Sequence, residues 1–206
     1  TLPLTRVQRA DLVPFRCICR IVTRSHDGSG YSVGTGFLIG RHHVLTAAHV
    51  IRPLEAPSTS SISVYPGQNG ERANGIAANG WAISPGYRST DCRTAEEDFG
   101  IIRLARPATL GGFSLTPVTL AAAANLPVNL AGYPATRDRQ ARLMFRSLGR
   151  LGVPIRIDEC TREVPTDGGA VRETIRATTV PDGHLVHHDL DSAKSMSGGP
   201  MWIVRD

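Results

Sequence analysis

The length of the apolar runs is the feature that most constrains the fold of this chain. Each run is strand-sized, and stretches rich in Gly, Pro, Asn or Asp lie between the runs; the clearest runs are 15–22, 36–39, 61–65, 101–104, 128–131 and 201–204. Turn sequences such as 27–30 and 66–70 separate them. Helix signals are limited to two single turns, 46–51 and 120–125. Many short strands joined by turns predict an all-β sandwich or barrel.

The domain organisation follows from length and from one connector. A chain of 206 residues is long enough for one large all-β domain or two small barrels. The Pro- and Gly-containing stretch 105–117 divides the apolar runs into two groups. We therefore expect a first β unit over 14–108 and a second over 109–206, preceded by an N-terminal arm over 1–13.

Charge and hydropathy narrow the function classes. Apolar residues make up 41% of the chain, which makes wholesale disorder unfavourable, and no apolar run is long enough to span a membrane. The net charge is +5, but the arginines between Arg137 and Arg176 are scattered among aliphatic residues and not interleaved with aromatic ones. We read them as a solvated face and expect neither a nucleic-acid partner nor a membrane. A nucleic-acid-binding β protein remains a lower-ranked alternative.

The four cysteines are Cys17, Cys19, Cys92 and Cys160. An even number suits an oxidising compartment and predicts disulfides. On a strand Cys17 and Cys19 would point the same way, so each is free to pair with one distant cysteine, and three connectivities are open. The Cys-x-Cys spacing disfavours a four-cysteine zinc site.

A histidine follows the first strong pair of strand signals. Segment 34–40 (Gly-Thr-Gly-Phe-Leu-Ile-Gly) and segment 44–50 (Val-Leu-Thr-Ala-Ala-His-Val) predict a hairpin that ends by presenting His49. Ala47 and Ala48 leave room on both sides of the imidazole. A general base needs that room, because one ring nitrogen faces a nucleophile and the other an orienting carboxylate.

Two further motifs follow in chain order. Asp98 opens an apolar strand at the edge of the core, and the preceding Glu96 and Glu97 are expected in a loop. Ser197 stands in the sequence 195–200, Ser-Met-Ser-Gly-Gly-Pro. Two glycines after a serine suit a sharp turn that aims neighbouring N–H groups at one point, as stabilisation of an oxyanion requires.

These motifs resemble those of the trypsin and chymotrypsin superfamily from about Pro14 to the end of the chain. The order His49, Asp98, Ser197 agrees with that superfamily and differs from the order in subtilisins and in α/β-hydrolases. Segments 34–39 and 132–134 (Gly-Tyr-Pro) look more like the largely bacterial, secreted glutamyl-endopeptidase branch than like animal trypsins. The resemblance implies two six-stranded antiparallel β-barrels of the chymotrypsin type with the catalytic cleft between them.

The resemblance also implies a role for each motif residue. Ser197 would attack the substrate carbonyl, His49 would carry its proton, and Asp98 would orient the imidazole. The backbone N–H groups of Ser195 and Ser197 would form the oxyanion hole, and no metal or organic cofactor would be needed. The implied function is that of a secreted or periplasmic serine endopeptidase that cleaves protein or peptide substrates through an acyl-enzyme on Ser197.

Three features depart from the family pattern. Ser195 stands where the family has glycine, and Met196 stands where trypsins have the aspartate that pairs with the freed N-terminus. The sequence also ends at Asp206, soon after Ser197, so we expect an incomplete second barrel and, as a partner, a separate C-terminal fragment of the same precursor. These departures support one alternative, a catalytically inactive or zymogen-like member of the fold that acts as a binding module.

The roles of two other groups of residues are less constrained by the sequence. Asp191, with Ser192 beside it, lies where trypsin-like enzymes carry the acid that binds Arg or Lys, so a basic, an acidic or another preference is possible. A cluster of histidines and aspartates, formed by His184, His187, His188, Asp189 and Asp191, lacks standard ligand spacing, and we expect no metal there.

Overall fold

The computed structural model describes most of the chain. The described residues are 2–26, 30–52, 59–71, 74–89, 91–109, 111–117, 119, 122, 125–159, 163–166, 169–172, 176–179, 185–188 and 190–203.

Strands account for nearly all of the regular structure. They are β1 (Leu2–Arg6), β2 (Ile18–Ser25), β3 (Tyr31–Leu38), β4 (His43–Thr46), β5 (Thr59–Pro66), β6 (Ile76–Ile83), β7 (Gly100–Leu104), β8 (Pro127–Gly132), β9 (Phe145–Glu159), β10 (Glu163–Thr166), β11 (Gly169–Arg172), β12 (Arg176–Thr179), β13 (Leu185–His188) and β14 (Met201–Trp202). Helical structure in the described residues consists of the single turn α1 (Ala48–Ile51), two 3₁₀ helices, Phe15–Cys17 and Cys92–Glu97, and the helical residue Ala122, which lies within the second expected turn, 120–125. The all-β prediction is confirmed, and so is a helical turn within 46–51.

The first unit is a closed barrel with the strand order β2-β3-β4-β7-β6-β5, closed by antiparallel pairing of β2 with β5. Buried and exposed residues alternate along β7, as expected for a strand with one face on the core. Ile21, Leu38, Val64 and Ile102 are fully buried inside the barrel. Burying each such side chain stabilises the fold by roughly 1.5–3 kcal/mol relative to exposure.

The second unit is a six-stranded sheet in which β1, β9, β8 and β14 follow one another, and β12 and β13 also pair with β9. Strands β10 and β11 form a separate pair. Among the described residues this unit is a sheet and not a closed barrel, in agreement with the incomplete second barrel expected from the sequence. The arm expected over 1–13 contributes β1, which pairs with β9 in a register that joins Arg6 to Phe145.

Tyr133, which directly follows β8, connects the two units. Its ring is fully buried, its N–H donates to the hydroxyl of Thr35 on β3 (3.1 Å), and its own hydroxyl donates to the carbonyl of Ile18 at the start of β2 (3.2 Å). Burial raises the pKa of Tyr133, so the phenol stays neutral and keeps its donor proton. One residue thus ties the sheet to two strands of the barrel.

The structure changes the interpretation of the cysteines. Cys17 and Cys19 are free thiols buried in the barrel core, where Cys17 Sγ donates to the carbonyl of Gly111 (3.3 Å). Burial raises the pKa of both thiols. The disulfides expected at these two cysteines are therefore not found. Cys160 and the side chain of Cys92 lie outside the described residues.

No helix in the described part of the chain is both long and apolar enough to cross a membrane.

The Tyr133 contact gives a first prediction. Tyr133→Phe removes the hydroxyl that donates to Ile18, so the free energy of unfolding, measured in urea, should fall by about 1 kcal/mol. The matched control is Tyr31→Phe, since Tyr31 is an exposed tyrosine of β3 and its loss should change little. Equal stability of the two variants would show that the Tyr133 hydroxyl does not hold the two units together.

Candidate active site

His49 is presented by the single turn α1, which follows β4 after one extended residue, Ala47. Ala47 and Ala48 are buried, whereas the His49 side chain is 39% exposed. The two alanines therefore pack into the barrel and leave the imidazole at the barrel rim. There it is exposed to solvent and can contact a neighbouring carboxylate.

Asp98 holds His49 at two points. Its Oδ1 accepts the backbone N–H of His49 (2.9 Å), and its Oδ2 lies 2.6 Å from Nδ1 of the imidazole. Asp98 itself lies between the 3₁₀ helix Cys92–Glu97 and β7, and its N–H donates to the carbonyl of Ala95 (3.1 Å). The double contact fixes both the position of the turn and the orientation of the ring.

The surroundings of Asp98 keep it ionised. Burial alone raises the pKa of Asp98, but the hydrogen bond and charge of His49 and the backbone N–H groups of His49 and Ala48 outweigh it, so the net pKa is lowered. An ionised carboxylate can only accept hydrogen bonds, so Nδ1 of His49 must carry the proton. Nε2 is then left as the acceptor that a general base needs.

A polar contact that the sequence did not reveal supports the Asp98 segment. Glu97, expected in a loop, instead ends the 3₁₀ helix, and its carboxylate accepts a hydrogen bond from the hydroxyl of Ser84. Ser84 is buried, and its N–H also donates to the carbonyl of Phe99. These contacts fix the chain on both sides of Asp98.

Met196 anchors the turn that carries Ser197. Met196 is buried and packs with Val128, Leu130 and Leu190 of the second unit, whereas Ser197 is exposed. Pro200, at the end of the turn, is also buried. The methionine thus holds the turn by apolar packing, where the resemblance implied an ion pair in trypsins.

Gly198 brings this turn against the segment that presents His49. Its φ is +79°, and a Cβ built on it would lie 2.3 Å from the carbonyl oxygen of Thr35, 2.3 Å from the hydroxyl of Thr46 and 2.7 Å from the amide nitrogen of Ala47. Only glycine fits this close approach and this backbone angle. Because Thr46 and Ala47 directly precede the His49 turn, the turn that carries Ser197 contacts the segment that presents His49.

The N–H groups of Ser195 and Ser197 have fixed directions. In the peptide before Ser195, the Lys194 carbonyl accepts the N–H of Ala135 (3.0 Å), and in the peptide before Ser197, the Met196 carbonyl accepts the N–H of Gly199 (2.9 Å). A trans peptide is planar, so fixing its carbonyl also fixes its N–H. No acceptor within the described ranges binds either N–H, which leaves both donors for a ligand.

Ser195 adopts the backbone conformation that favours glycine. Its φ is +76°, in the left-handed region, which costs an L-residue roughly 1–2 kcal/mol. The strain expected from the sequence at this position is therefore present. Such strain persists only where neighbouring contacts determine the conformation.

The predicted specificity residues lie on the side of the arm. Asp191 Oδ2 accepts the N–H of Leu4 on β1 (3.0 Å), and the Asp191 N–H donates to the hydroxyl of Ser147 on β9 (3.0 Å). Ser192 is exposed. Among the described residues, Asp191 therefore forms hydrogen bonds with the arm and the sheet and none with His49 or Asp98.

The histidine and aspartate cluster is only partly visible. His184, Asp189 and the side chain of His187 lie outside the described residues, and His188 lies on β13. Within the described part of the chain, no three His, Cys, Asp or Glu side chains are placed to hold a metal ion.

The lowered pKa of Asp98 predicts a pH-dependent contribution to stability. That contribution is present above the ordinary carboxyl pKa of 3.8 and is lost as the pH falls through the lower pKa of the folded state. Wild type should therefore be more stable than Asp98→Asn at pH 6, and the gap should narrow below about pH 4. Urea unfolding from pH 3 to pH 7 measures it, and a gap that does not change with pH would contradict the assignment.

Comparison with known proteins gives the same fold. In one comparison the chain is similar to a Glu endopeptidase in complex with MPD, with a TM-score of 0.64, 19% identity, and coverage of 95% of this chain and 92% of that chain. In another it is similar to a thermostable serine protease AL20 from an extremophilic microorganism, with a TM-score of 0.55, 16% identity, and coverage of 93% and 80%. The Vibrio cholerae VesB protease matches with a TM-score of 0.54, 23% identity, and coverage of 72% and 44%.

At these identities the structural likeness shows the fold alone, and no curated protein sequence matches significantly. Family membership is shown by the sequence, because a family model described as Trypsin matches residues 13–203. With nearly the whole chain matched, and with a closed barrel beside a second β unit, the chain belongs to the trypsin family.

Proposed function

We propose that this protein is a serine endopeptidase that hydrolyses peptide bonds through an acyl-enzyme on Ser197. The observation that carries the proposal is the double contact of Asp98 with His49, at the rim of the barrel against which the Ser197 turn packs. Membership of the trypsin family and the fold of known serine proteases support it.

The proposed reaction uses only groups of this chain and water. Ser197 Oγ attacks the substrate carbonyl while Nε2 of His49 takes the hydroxyl proton, and the N–H groups of Ser195 and Ser197 bind the oxyanion. The C–N bond then breaks as His49 returns the proton to the leaving amine. Water, deprotonated by His49, hydrolyses the ester and restores Ser197, while Asp98 stays ionised throughout.

A non-catalytic binding module with the same fold is the alternative. The serine at position 195 favours it, because glycine is the residue that tolerates a left-handed backbone. The enzyme is favoured by the same region, since Ser195 adopts that conformation and both N–H donors lack an acceptor among the described residues.

The residue preference at the cut depends on Asp191. One oxygen of its carboxylate accepts the N–H of Leu4. A preference for Arg or Lys before the cut would assign the other oxygen to substrate recognition. An acidic or apolar preference would assign Asp191 to holding the arm.

We further propose that the protein works in a secreted or periplasmic setting. The resemblance to the glutamyl-endopeptidase branch supports this location. The cysteines add no support, because Cys17 and Cys19 are buried free thiols.

A peptide library incubated with the protein and read by mass spectrometry tests the proposed activity. Wild type should cut the library, and Ser197→Ala should reduce the rate by about 10³- to 10⁶-fold. The control is Ser61→Ala, which removes the hydroxyl of an exposed serine on β5 and should leave the rate unchanged.

Equal cutting by wild type and Ser197→Ala would contradict the proposal. Folded wild-type protein that cuts no peptide would favour the binding module.

A further inference from the structure

Thr35 lies where the barrel, the sheet and the Ser197 turn meet. It stands on β3 between Gly34 and Gly36 and is completely buried. Its hydroxyl donates to the carbonyl of Ser195 (2.9 Å) and accepts the N–H of Tyr133 (3.1 Å). A threonine hydroxyl has one proton to donate, and here that proton goes to the strained residue of the turn.

The backbone of Thr35 reaches both segments of the site. Its N–H donates to the carbonyl of Ser197 (2.9 Å), and its carbonyl accepts the hydroxyl of Thr46 (2.6 Å). Thr46 lies three positions before His49 in the chain. A change at Thr35 therefore acts on the turn that carries Ser197 and on the segment that presents His49.

The surrounding glycines make room for this side chain. A Cβ on Gly132 would lie 2.8 Å from Thr35 Oγ1, and a Cβ on Gly199 would lie 3.4 Å from Thr35 Cγ2. The threonine side chain therefore fills the space that two glycines from the second unit leave open. Its position is set by packing as well as by hydrogen bonds.

The conformation of Ser195 is set by the two peptides that flank its Cα. The Ala135 N–H holds the carbonyl of the preceding peptide. The following peptide is held on both sides, since the Met196 N–H donates to the carbonyl of Ala193 (3.0 Å) and the Thr35 hydroxyl donates to the carbonyl of Ser195. Of these three bonds only the one from Thr35 comes from a side chain, so only that one can be removed by substitution without changing the backbone.

We propose that Thr35 is a positioning residue whose hydroxyl holds Ser195 in the left-handed conformation, in which the preceding peptide keeps its bond to Ala135 and directs the Ser195 N–H at the substrate oxyanion. The inference rests on the proposed peptidase function, because the oxyanion arises in that reaction. It goes further by assigning a role to a buried barrel residue that does not touch the substrate.

Kinetics on three variants test the role of the hydroxyl. Thr35→Val keeps the shape of the side chain and removes its hydroxyl. We expect kcat to fall about 10- to 100-fold and KM to change by less than about twofold. This loss of kcat is smaller than that caused by deleting an oxyanion donor outright. Thr35→Ser keeps the hydroxyl and should stay within about threefold of wild type. Thr35→Ala, which leaves space for a water at the Tyr133 N–H, should lose kcat as Thr35→Val does.

Two controls separate positioning from general destabilisation. Val64→Ala opens a cavity in the barrel core from β5, a strand that carries no site residue, so it lowers stability while kcat should stay within about twofold of wild type. Ser195→Gly, combined with Thr35→Val, should recover most of the lost kcat, since glycine holds a positive φ without strain. A merely structural role for Thr35 would give no such rescue.

Crystal structures of Thr35→Val and Thr35→Ser supply a readout that does not depend on activity. We expect Ser195 to leave the left-handed region in the valine variant and to stay there in the serine variant. A positive φ at Ser195 in the valine variant, or full kcat without the hydroxyl, would overturn the role of Thr35 while the proposed function stands. Wild type that cuts no peptide would refute the proposed function, and the structures would still decide what Thr35 does.

Discussion

Two hydrogen bonds from Thr35 join β3 of the barrel to the turn that carries Ser197. The Thr35 N–H binds the carbonyl of Ser197, and its hydroxyl binds the carbonyl of Ser195. The turn that carries the proposed nucleophile belongs to the second unit, whereas His49 and Asp98 belong to the barrel, so the proposed site forms only where the two units meet. Gly198 permits the contact because any side chain there would overlap Thr35 and Thr46.

Apolar packing replaces an ion pair in the support of this turn. Met196 is buried among Val128, Leu130 and Leu190, so the residue before Ser197 is fixed by the core of the second unit. A buried methionine needs no charged partner, whereas a buried carboxylate must be paired. The order of the turn therefore depends on the packing of the sheet. The arm strand β1 also belongs to that sheet, and its Leu4 N–H binds Asp191.

The sequence predicted features that are local in the chain. The all-β class followed from strand-length runs and turns, and His49, Asp98 and Ser197 were predicted as site residues because each stands in a short motif. The backbone strain at Ser195 was also predicted, because serine stands where the family has glycine. The structure gives Ser195 a φ of +76°, in the left-handed region.

What the sequence did not reveal depends on contacts between distant segments. Thr35 lies 160 positions from Ser195, whose carbonyl it binds. Except for the glycine on each side, the neighbouring sequence gives no sign of this contact. The long strand β9 was not identified because its arginines interrupt the apolar pattern. The disulfide prediction for Cys17 and Cys19 was wrong because it rested on an even number of cysteines, which does not show whether two sulfur atoms come within bonding distance.

The central claim is that Ser197 is a nucleophile activated by His49 and Asp98. The most direct measurement is the intact mass of the native protein after treatment with a fluorophosphonate, followed by peptide mapping of the adduct. The account predicts one adduct, on Ser197, in the folded wild-type protein. It predicts no adduct at Ser197 in protein unfolded in urea or in the His49→Ala variant. A folded wild-type protein that stays unlabelled, or that carries its adduct on another residue, would contradict the claim.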